Sequence, residues 1–514
     1  GTPMSHWIVV PTELPALTAA CLVLFARDNL FLQRVISVVA TVALVVLTLG
    51  LYRLADDGEL RVYLLSNWPA PFGILQVLDR LSATMLLLTA CLALVVIVYA
   101  INGWDRRGRH FHPLFQFQLL GLNGAFLTGD FFNLFVFFEV MLIASYGLML
   151  HGGGPRRLKA GFQYVTINLI GSTLFLIAVG IIYAVTGTLN MADLAVKASQ
   201  VATGDVALLR TGALLLFMVF ALKAAMVPLH WWLPTTYAAA SAPVAALFAI
   251  MTKVGAYCIL RMYGLVFGPD AGPLALVAEP WVIPAAMVTL AIGAIGVLAS
   301  RRLLDLACFA AVASMGTLLI AIGLFDEVGV TAALYYLVHS TVAGAALFLL
   351  VDLIAIRRGK ARDTLSAAAP FPRDYVYGAL FFLAAIATVG LPPLSGFLGK
   401  LLLLDATMTT PHAAAIWTVV LGSSFLMLVG FSRAGSVLFW KSAAQPAPAA
   451  QEDVRRRAVP TLAAATLIGA TVLLSVLAAP VSRALGETAH QALDTRGYVE
   501  AVIGTIKTAS VTGL

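Results

Sequence analysis

Five ionisable residues stand inside runs that are otherwise apolar: Glu139 in FNLFVFFEVMLIASYGL, Lys223 in ALKAAMVPLHWWLP, Lys253 in SAPVAALFAIMTKVGAY, His339 in YYLVHSTVAGAALFL and Lys400 in GLPPLSGFLGK. A charge at the centre of a membrane helix costs roughly 2.5–3.5 kcal/mol even on the lenient insertion scale, so such residues face protein or water rather than lipid. Their types suit proton transfer. A buried lysine can give up its proton, which an arginine does not, and a histidine titrates near neutrality to begin with. Glu139 is the acid nearest mid-helix, with Asp130 at a helix entrance and Asp352 near a cytoplasmic end. Its natural partner is Lys223, because opposite charges within about 4–6 Å favour both charged forms. If Glu139 swings away, Lys223 loses its counter-charge and releases a proton; when the pair re-forms, it recaptures one. With water between them, Lys223, Lys253, His339 and Lys400 would make a relay in the plane of the membrane. The sequence names the members but not their spatial order.

Two helix interruptions accompany these charges. Pro228 closely follows Lys223, and a proline's missing N–H and ring clash free carbonyls about one turn back. Further on, Gly390, Pro392, Pro393 and Gly396 break the chain just ahead of Lys400. Paired discontinuous segments in comparable positions of two halves point to an internal repeat with the pathway at its centre. Plainer readings compete with these. A single lysine can snorkel or satisfy a carbonyl, a histidine such as His339 can be a satisfied core residue, and prolines can be packing kinks. His110, His112, His151, His230 and His412 read as interfacial residues near helix ends, and Trp231 and Trp232 as interface anchors. Cys21, Cys91, Cys258 and Cys308 lack ligand spacing and read as small core residues.

The elements that must position these groups follow from composition. The chain is 61% hydrophobic and 11% charged, far from the roughly 25% charged of a soluble domain. It reads as an all-α polytopic membrane protein. At about 20 apolar residues per span, about fourteen transmembrane helices fit, near 6–26, 31–54, 80–102, 112–129, 131–151, 161–185, 209–229, 242–266, 280–300, 303–324, 330–356, 375–408, 413–440 and 459–482. Helices 4–8 and 9–13 form two inverted five-helix repeats, with helices 7 and 12 broken. The organisation is 1–110 for helices 1–3, 111–267 and 268–441 for the repeats, 442–458 for a Pro/Ala-rich cytoplasmic linker, and 459–514 for the last helix and tail. Gly1-Thr2-Pro3 ahead of Met4 reads as a vector remnant.

Loop charges test the count. Arg27 and Arg34, Arg106 to Arg109, Arg156 to Lys159, Arg301 and Arg302, Arg357 to Arg362, and Arg455 to Arg457 all fall on one side if every span crosses. Asp56, Asp57, Glu59, Asp193, Asp205, Asp270, Glu279, Asp326 and Glu327 fall on the other. The positive-inside rule then puts both termini outside the cytoplasm. The net charge of +7 is the product of these loops, and no nucleic-acid partner is expected. The tail after Ser482 carries an amphipathic pattern from His490 to Ile506 that suits the outer face, against membrane or a partner. No nucleotide loop, metal-ligand spacing or nucleophile constellation occurs, so neither bond-breaking catalysis nor a cofactor is expected. Few carboxylates lie at depth, and a dedicated Na+ cage is not evident.

The five quoted stretches together resemble the antiporter-like subunits shared by respiratory complex I, membrane-bound hydrogenases and Mrp-type multisubunit Na+/H+ antiporters. PTELPALTA, GDFFNLFVFFEV and GLPPLSGFLGKLLLL are most similar to the D-type branch of the Mrp antiporter subunits. The resemblance implies that Glu139 and Lys223 form the pair between helices 5 and 7, that Lys253 lies mid-path, and that Lys400 sits on broken helix 12. Lys400 argues against the complex I branch with a glutamate there. VHSTVAGAALF lacks the further polar residue common after the histidine, which leaves the link from Lys253 to Lys400 open. What the resemblance implies is a proton-translocating subunit in a bacterial inner membrane, assembled with other membrane subunits, exchanging protons for Na+, Li+ or K+. The rival is a proton-pumping membrane subunit of a complex I-like or hydrogenase redox complex.

Overall fold

The computed structural model describes residues 5–65, 73–446 and 458–512 and builds them almost wholly from helices. Three helices lead, α1 (Val10–Phe25), α2 (Leu30–Ala55) and α3 (Arg80–Ala100), with a short antiparallel ribbon of β1 (Arg61–Leu64) and β2 (Leu75–Leu78) between the last two. That ribbon is the one sheet among the described residues, and it departs from a purely helical expectation. Next come α4 (Phe111–Leu127), α5 (Phe131–Leu150), α6 (Pro155–Thr186) and the short α7 (Met191–Ser199). The centre holds α8 (Val206–Lys223), α9 (Trp232–Ala239), α10 (Ala242–Phe248) and α11 (Met251–Ile259), the last continuing as a π-helix to Val266. Then follow α12 (Glu279–Ala299), α13 (Leu303–Ile322), α14 (Glu327–Arg357), α15 (Asp374–Val389), α16 (Ser395–Ala406) and α17 (Ala413–Gly435). The chain closes with α18 (Ala458–Val476), α19 (Ala478–Ala492) and α20 (Thr495–Thr512).

Eleven helical stretches among the described residues are long and apolar enough to cross a bilayer, and Val10–Phe25 and Asp374–Val389 are apolar but shorter. Their faces are sorted as lipid requires. On α2 the buried stripe is Ser37, Thr41, Leu44, Thr48 and Leu51, while Phe31, Val39 and Val46 point outward. Small and hydroxyl side chains pack inward because lipid gives apolar groups no reason to hide. The Gln116 amide on α4 uses this stripe, donating to Ser37 Oγ at 3.2 Å and Thr41 Oγ1 at 3.3 Å.

The two sets of charged loops lie at opposite ends, joined by α3 and α14. At the basic end, Asp105 takes a hydrogen bond from Arg34 at 2.7 Å and pairs with His112 at 2.9 Å. Burial pushes the Asp105 carboxyl up, but the bonds from Arg34 and His112 outweigh it and hold it below the usual carboxylate range. His112 is therefore buried in an ion-pair cluster, not interfacial. Arg107 stacks 3.9 Å over Trp104. At the acidic end, Arg80 bridges Asp56 at 2.9 Å and Glu487 at 3.0 Å, and His490 meets Glu327 at 3.0 Å. The tail therefore docks on its own chain, with Tyr498 and Val502 of α20 buried. Arg455 to Arg457 and most of the 442–458 linker lie outside the described residues. Cys258 and Cys308 are core residues as expected, whereas Cys21 and Cys91 are exposed.

Two helix pairs pack alike. A methyl group on Gly121 of α4 would lie 2.6 Å from the Met141 amide nitrogen, and one on Gly124 would strike Phe137; on α12, a methyl group on Gly293 would strike the Ala313 amide nitrogen and one on Gly296 would strike Phe309. Each residue of the first contact has its counterpart 172 positions later (121 to 293, 124 to 296, 137 to 309, 141 to 313). Because backbone rather than a movable side chain blocks the space at Gly293, Gly293→Ala should cost about 1–3 kcal/mol by overpacking. Gly180→Ala on α6, where nothing lies within 4 Å, should be neutral or slightly stabilising. Thermal midpoints of the two variants in detergent check this; equal midpoints would refute the close approach.

Candidate functional site

The first interruption begins where Lys223 ends α8. Ala225 takes a positive φ of 58°, the chain turns through Pro228, and α9 resumes only at Trp232. Freed backbone groups in a membrane must find partners within the protein. The Val227 N–H donates to Thr289 Oγ1 at 2.9 Å, and the Trp232 indole donates to the Leu222 carbonyl at 2.9 Å. Trp232, expected as an interface anchor, is thus buried and caps the broken helix, while Trp231 stays half exposed. Gly255 lets α11 press on this end, since a methyl there would lie 2.6 Å from the Ala224 nitrogen.

Lys223 and Glu139 line one small cavity, with Asn168, Ser172 and Phe175. They are not hydrogen-bonded to each other. The Ser172 hydroxyl donates to Glu139 Oε1, and the Lys223 ammonium has no hydrogen-bond partner among the described residues. It lies 6.0 Å from the ring centroids of Tyr164 and Trp232, at the outer limit of cation–π attraction. The two groups expected to pair therefore share one cavity without a direct hydrogen bond.

The expected single helix over 242–266 is also interrupted, between α10 and α11. The Ala249 and Ile250 amides reach back only three residues, to Ala246 and Leu247, and the Tyr237 hydroxyl donates to the Phe248 carbonyl at 2.8 Å. No proline or glycine marks this kink, so nothing local in the sequence signals it. Lys253 follows at once and shares a cavity of about 30 Å³ with Thr252, Tyr336, His339 and Thr388. That is room for one or two waters, and the Thr388 hydroxyl has no other partner among the described residues. An aromatic wall joins this space to the previous one, with Trp232 and Tyr237 rings 6.2 Å apart.

His339 Nδ1 is 2.6 Å from the hydroxyl of Ser395, the first residue of α16. The second proline-marked interruption lies just before, between Val389 and Ser395. Lys400 reaches back across it to donate to the Val389 carbonyl and to Ser424 Oγ, both at 2.8 Å. A cation at a helix C-terminus also meets the negative end of the helix dipole. Gly390, with φ of 93°, leaves space for the lysine stem, for a methyl there would sit 2.8 Å from Lys400 Cδ. Lys400 thus does satisfy a carbonyl, one that the Pro392-Pro393 break itself exposes. The spatial order is Glu139, Lys223, Lys253, His339, Lys400, with Ser395 bridging the last two elements.

The family model described as NADH:quinone oxidoreductase/Mrp antiporter, TM, matches residues 128–427, a stretch that holds all five groups and both proline breaks. The chain belongs to that family. Similar proteins span nearly its whole length. It is 41% identical to a probable K(+)/H(+) antiporter subunit, of the D type, from Rhizobium meliloti over 99% of each chain. It is 34% identical to the D-type subunit of a Na(+)/H(+) antiporter of Alkalihalophilus pseudofirmus, covering 97% of this chain and 100% of the relative. A chain of the Mrp complex from Dietzia sp. superimposes with a TM-score of 0.87 at 28% identity, covering 98% and 100%.

Sequence reasoning missed the small polar residues that hold the ionisable ones, Ser172, Ser395, Ser424, Thr289 and Tyr237. A lone serine in an apolar helix is common, and only Ser395, directly after the Pro-Pro-Leu break, carried a positional signal. It also missed Arg261, two turns beyond Lys253 on the same face, which is buried and forks onto Asp79 at 2.8 and 3.0 Å. A hydrogen bond to a charged group contributes about 1.5–3 kcal/mol, so Ser172 should hold Glu139 in this position. In Ser172→Ala the infrared carboxylate band of Glu139, identified by its loss in Glu139→Gln, should move. An unmoved band would remove Ser172 from the site.

Proposed function

We propose that this chain is the proton-translocating, D-type subunit of a multisubunit monovalent cation/proton antiporter, a transporter component and not an enzyme. The observation that carries the reading is the succession of half-buried Glu139 and buried Lys223, Lys253, His339 and Lys400, set beside interrupted helices in a chain otherwise poor in charge. The names of its relatives support it, one K(+)/H(+) and one Na(+)/H(+), and so does its likeness to a chain of an Mrp complex.

In this reading Glu139 is the switch. While Ser172 holds it, Lys223 has no directly bonded counter-charge, and a buried ammonium so placed is costly enough to release its proton towards Lys253. When Glu139 returns, Lys223 recaptures a proton. Lys253 and His339 pass the charge through the water-sized space beside Thr388, and Ser395 hands it on towards Lys400. Lys400 reprotonates while held by the Val389 carbonyl and Ser424. Monovalent cations, Na+, K+ or Li+, are carried by the assembly with other membrane subunits.

The matched contacts of α4 with α5 and of α12 with α13 support two inverted five-helix repeats over 111–267 and 268–441, preceded by 1–110 and followed by the 442–458 linker and the 459–514 tail, with fourteen crossings in all. The basic end is then cytoplasmic, both termini lie outside, and the membrane is the bacterial inner membrane.

In inverted membrane vesicles, Lys223→Ala and Glu139→Ala should each bring cation-dependent proton movement to background while the complex remains assembled. Glu139→Asp, which keeps the charge but shortens its reach, should retain part of the rate. Normal exchange in both alanine variants would sink the switch.

A further inference from the structure

Two cavities lie end to end between the same two walls. The outer one, about 280 Å³, opens at the basic end, where Arg156, Arg157, Arg302 and Arg362 line it together with Asp352. Asp352 is buried there, accepting hydrogen bonds from the Tyr99 hydroxyl and, at 3.1 Å, from the Trp104 indole. The inner one is the space of about 30 Å³ beside Lys253 and His339. On one wall, α14 turns Ala355, Asp352 and Val351 to the outer cavity and Leu347, Gly344 and Ser340 to the inner one. On the other wall, Ala245 faces the outer cavity and Ala249, four residues later, the inner. These are successive turns of two facing helices, so the two spaces are segments of one line.

One side chain belongs to both linings. Phe348 is 2% exposed, and its ring stands 5.8 Å from that of Tyr237 at 67°. Tyr237 is itself fixed by its hydroxyl on the Phe248 carbonyl. On the facing wall the neighbouring residues are the small Ala245 and Ala249, so Phe348, the residue common to both linings, is the bulky group between the two spaces. An apolar constriction of this kind stops water by dewetting and opens when one side chain turns.

We propose that the arginine-rimmed cleft over Asp352 is the aqueous mouth through which protons reach this chain, and that Phe348 is the gate between that mouth and the Lys253–His339 cavity. The proposal rests on the reading of the chain as a proton-moving component. It adds the place of intake and the residue that controls it. In the resting arrangement water fills the cleft as far as Val351 and stops at the Phe348 ring, so the mouth supplies a proton to the Lys253–His339 cavity only when the ring swings off Tyr237.

The test is accessibility in the assembled complex, read independently of transport. Cys21, Cys91, Cys258 and Cys308 are replaced by alanine, and single cysteines are placed by Val351→Cys in the outer cavity and Gly344→Cys in the inner. The probe is methanethiosulfonate ethylsulfonate, a small impermeant thiol reagent, applied to vesicles of each orientation. Val351→Cys should react from the basic face alone, with or without the Phe348 ring. Gly344→Cys should stay unreactive with Phe348 in place and react at least about tenfold faster with Phe348→Ala. If Phe348→Ala does not assemble, Phe348→Leu carries the same comparison with a smaller rise. Unreactive Val351→Cys, or its reaction from the opposite face, would overturn the mouth. Equal rates at Gly344→Cys in both backgrounds would overturn the gate. Since no outcome depends on cation exchange, these results stand apart from those for Lys223→Ala.

Discussion

Backbone groups that a broken helix exposes must be satisfied by the protein itself when no water reaches them, and the centre of this molecule is arranged around that constraint. Among the described residues three central helices are interrupted, at 224–231, 249–250 and 390–394, and each interruption leaves carbonyls pointing into the interior. The partners found are the Trp232 indole for Leu222, the Tyr237 hydroxyl for Phe248 and the Lys400 ammonium for Val389. The break at Pro392-Pro393 is also braced from outside the file, where the Ser475 hydroxyl of α18 donates to the Pro393 carbonyl. Satisfying the breaks and placing the charges are therefore one structural problem with one solution.

The same constraint decides which ionisable groups are free to act. Lys400 is tied to a carbonyl and a hydroxyl, so its charge is supported by fixed dipoles whatever its neighbours do. Lys223 stands at the end of α8 without a hydrogen-bond partner among the described residues, beside a carboxylate held by Ser172. An uncompensated buried charge is the costly arrangement, and its cost is lowered only by Glu139 or by loss of the proton. In the function proposed above, that contrast makes the Glu139–Lys223 end the switch and the Lys400 end the stable terminus of the file. Close helix contacts at Gly255 and Gly396 keep the broken ends in register, the latter so tight that a methyl group would strike the Ala387 carbonyl oxygen.

Rigidity at the periphery complements this centre. The Arg261–Asp79 fork, buried beneath Tyr498 of α20, and the Asp105 cluster with Arg34 and His112 pin the two ends of the bundle. The Arg261–Asp79 and Arg34–Asp105 pairs join residues far apart in the chain and so tie the helices that carry the file at both ends.

Much of this was legible in the chain alone. The scarcity of charge made Glu139, Lys223, Lys253, His339 and Lys400 conspicuous, because desolvation makes each of them expensive unless it is used. Pro228 and Pro392-Pro393 announced two breaks, because proline removes a donor wherever it stands. Alternating loop charge separated the ends. The third dimension decided what depends on contacts between distant residues. It set the order of the file, the shared cavity of Glu139 and Lys223, and the kink before Lys253, which no local residue encodes. It turned Trp232 from an anchor into a cap, buried His112 with Asp105, and folded the tail back onto its own chain. Burial cost is a property of one residue and can be read from its type; a hydrogen-bond partner is a property of two, and only folding brings them together.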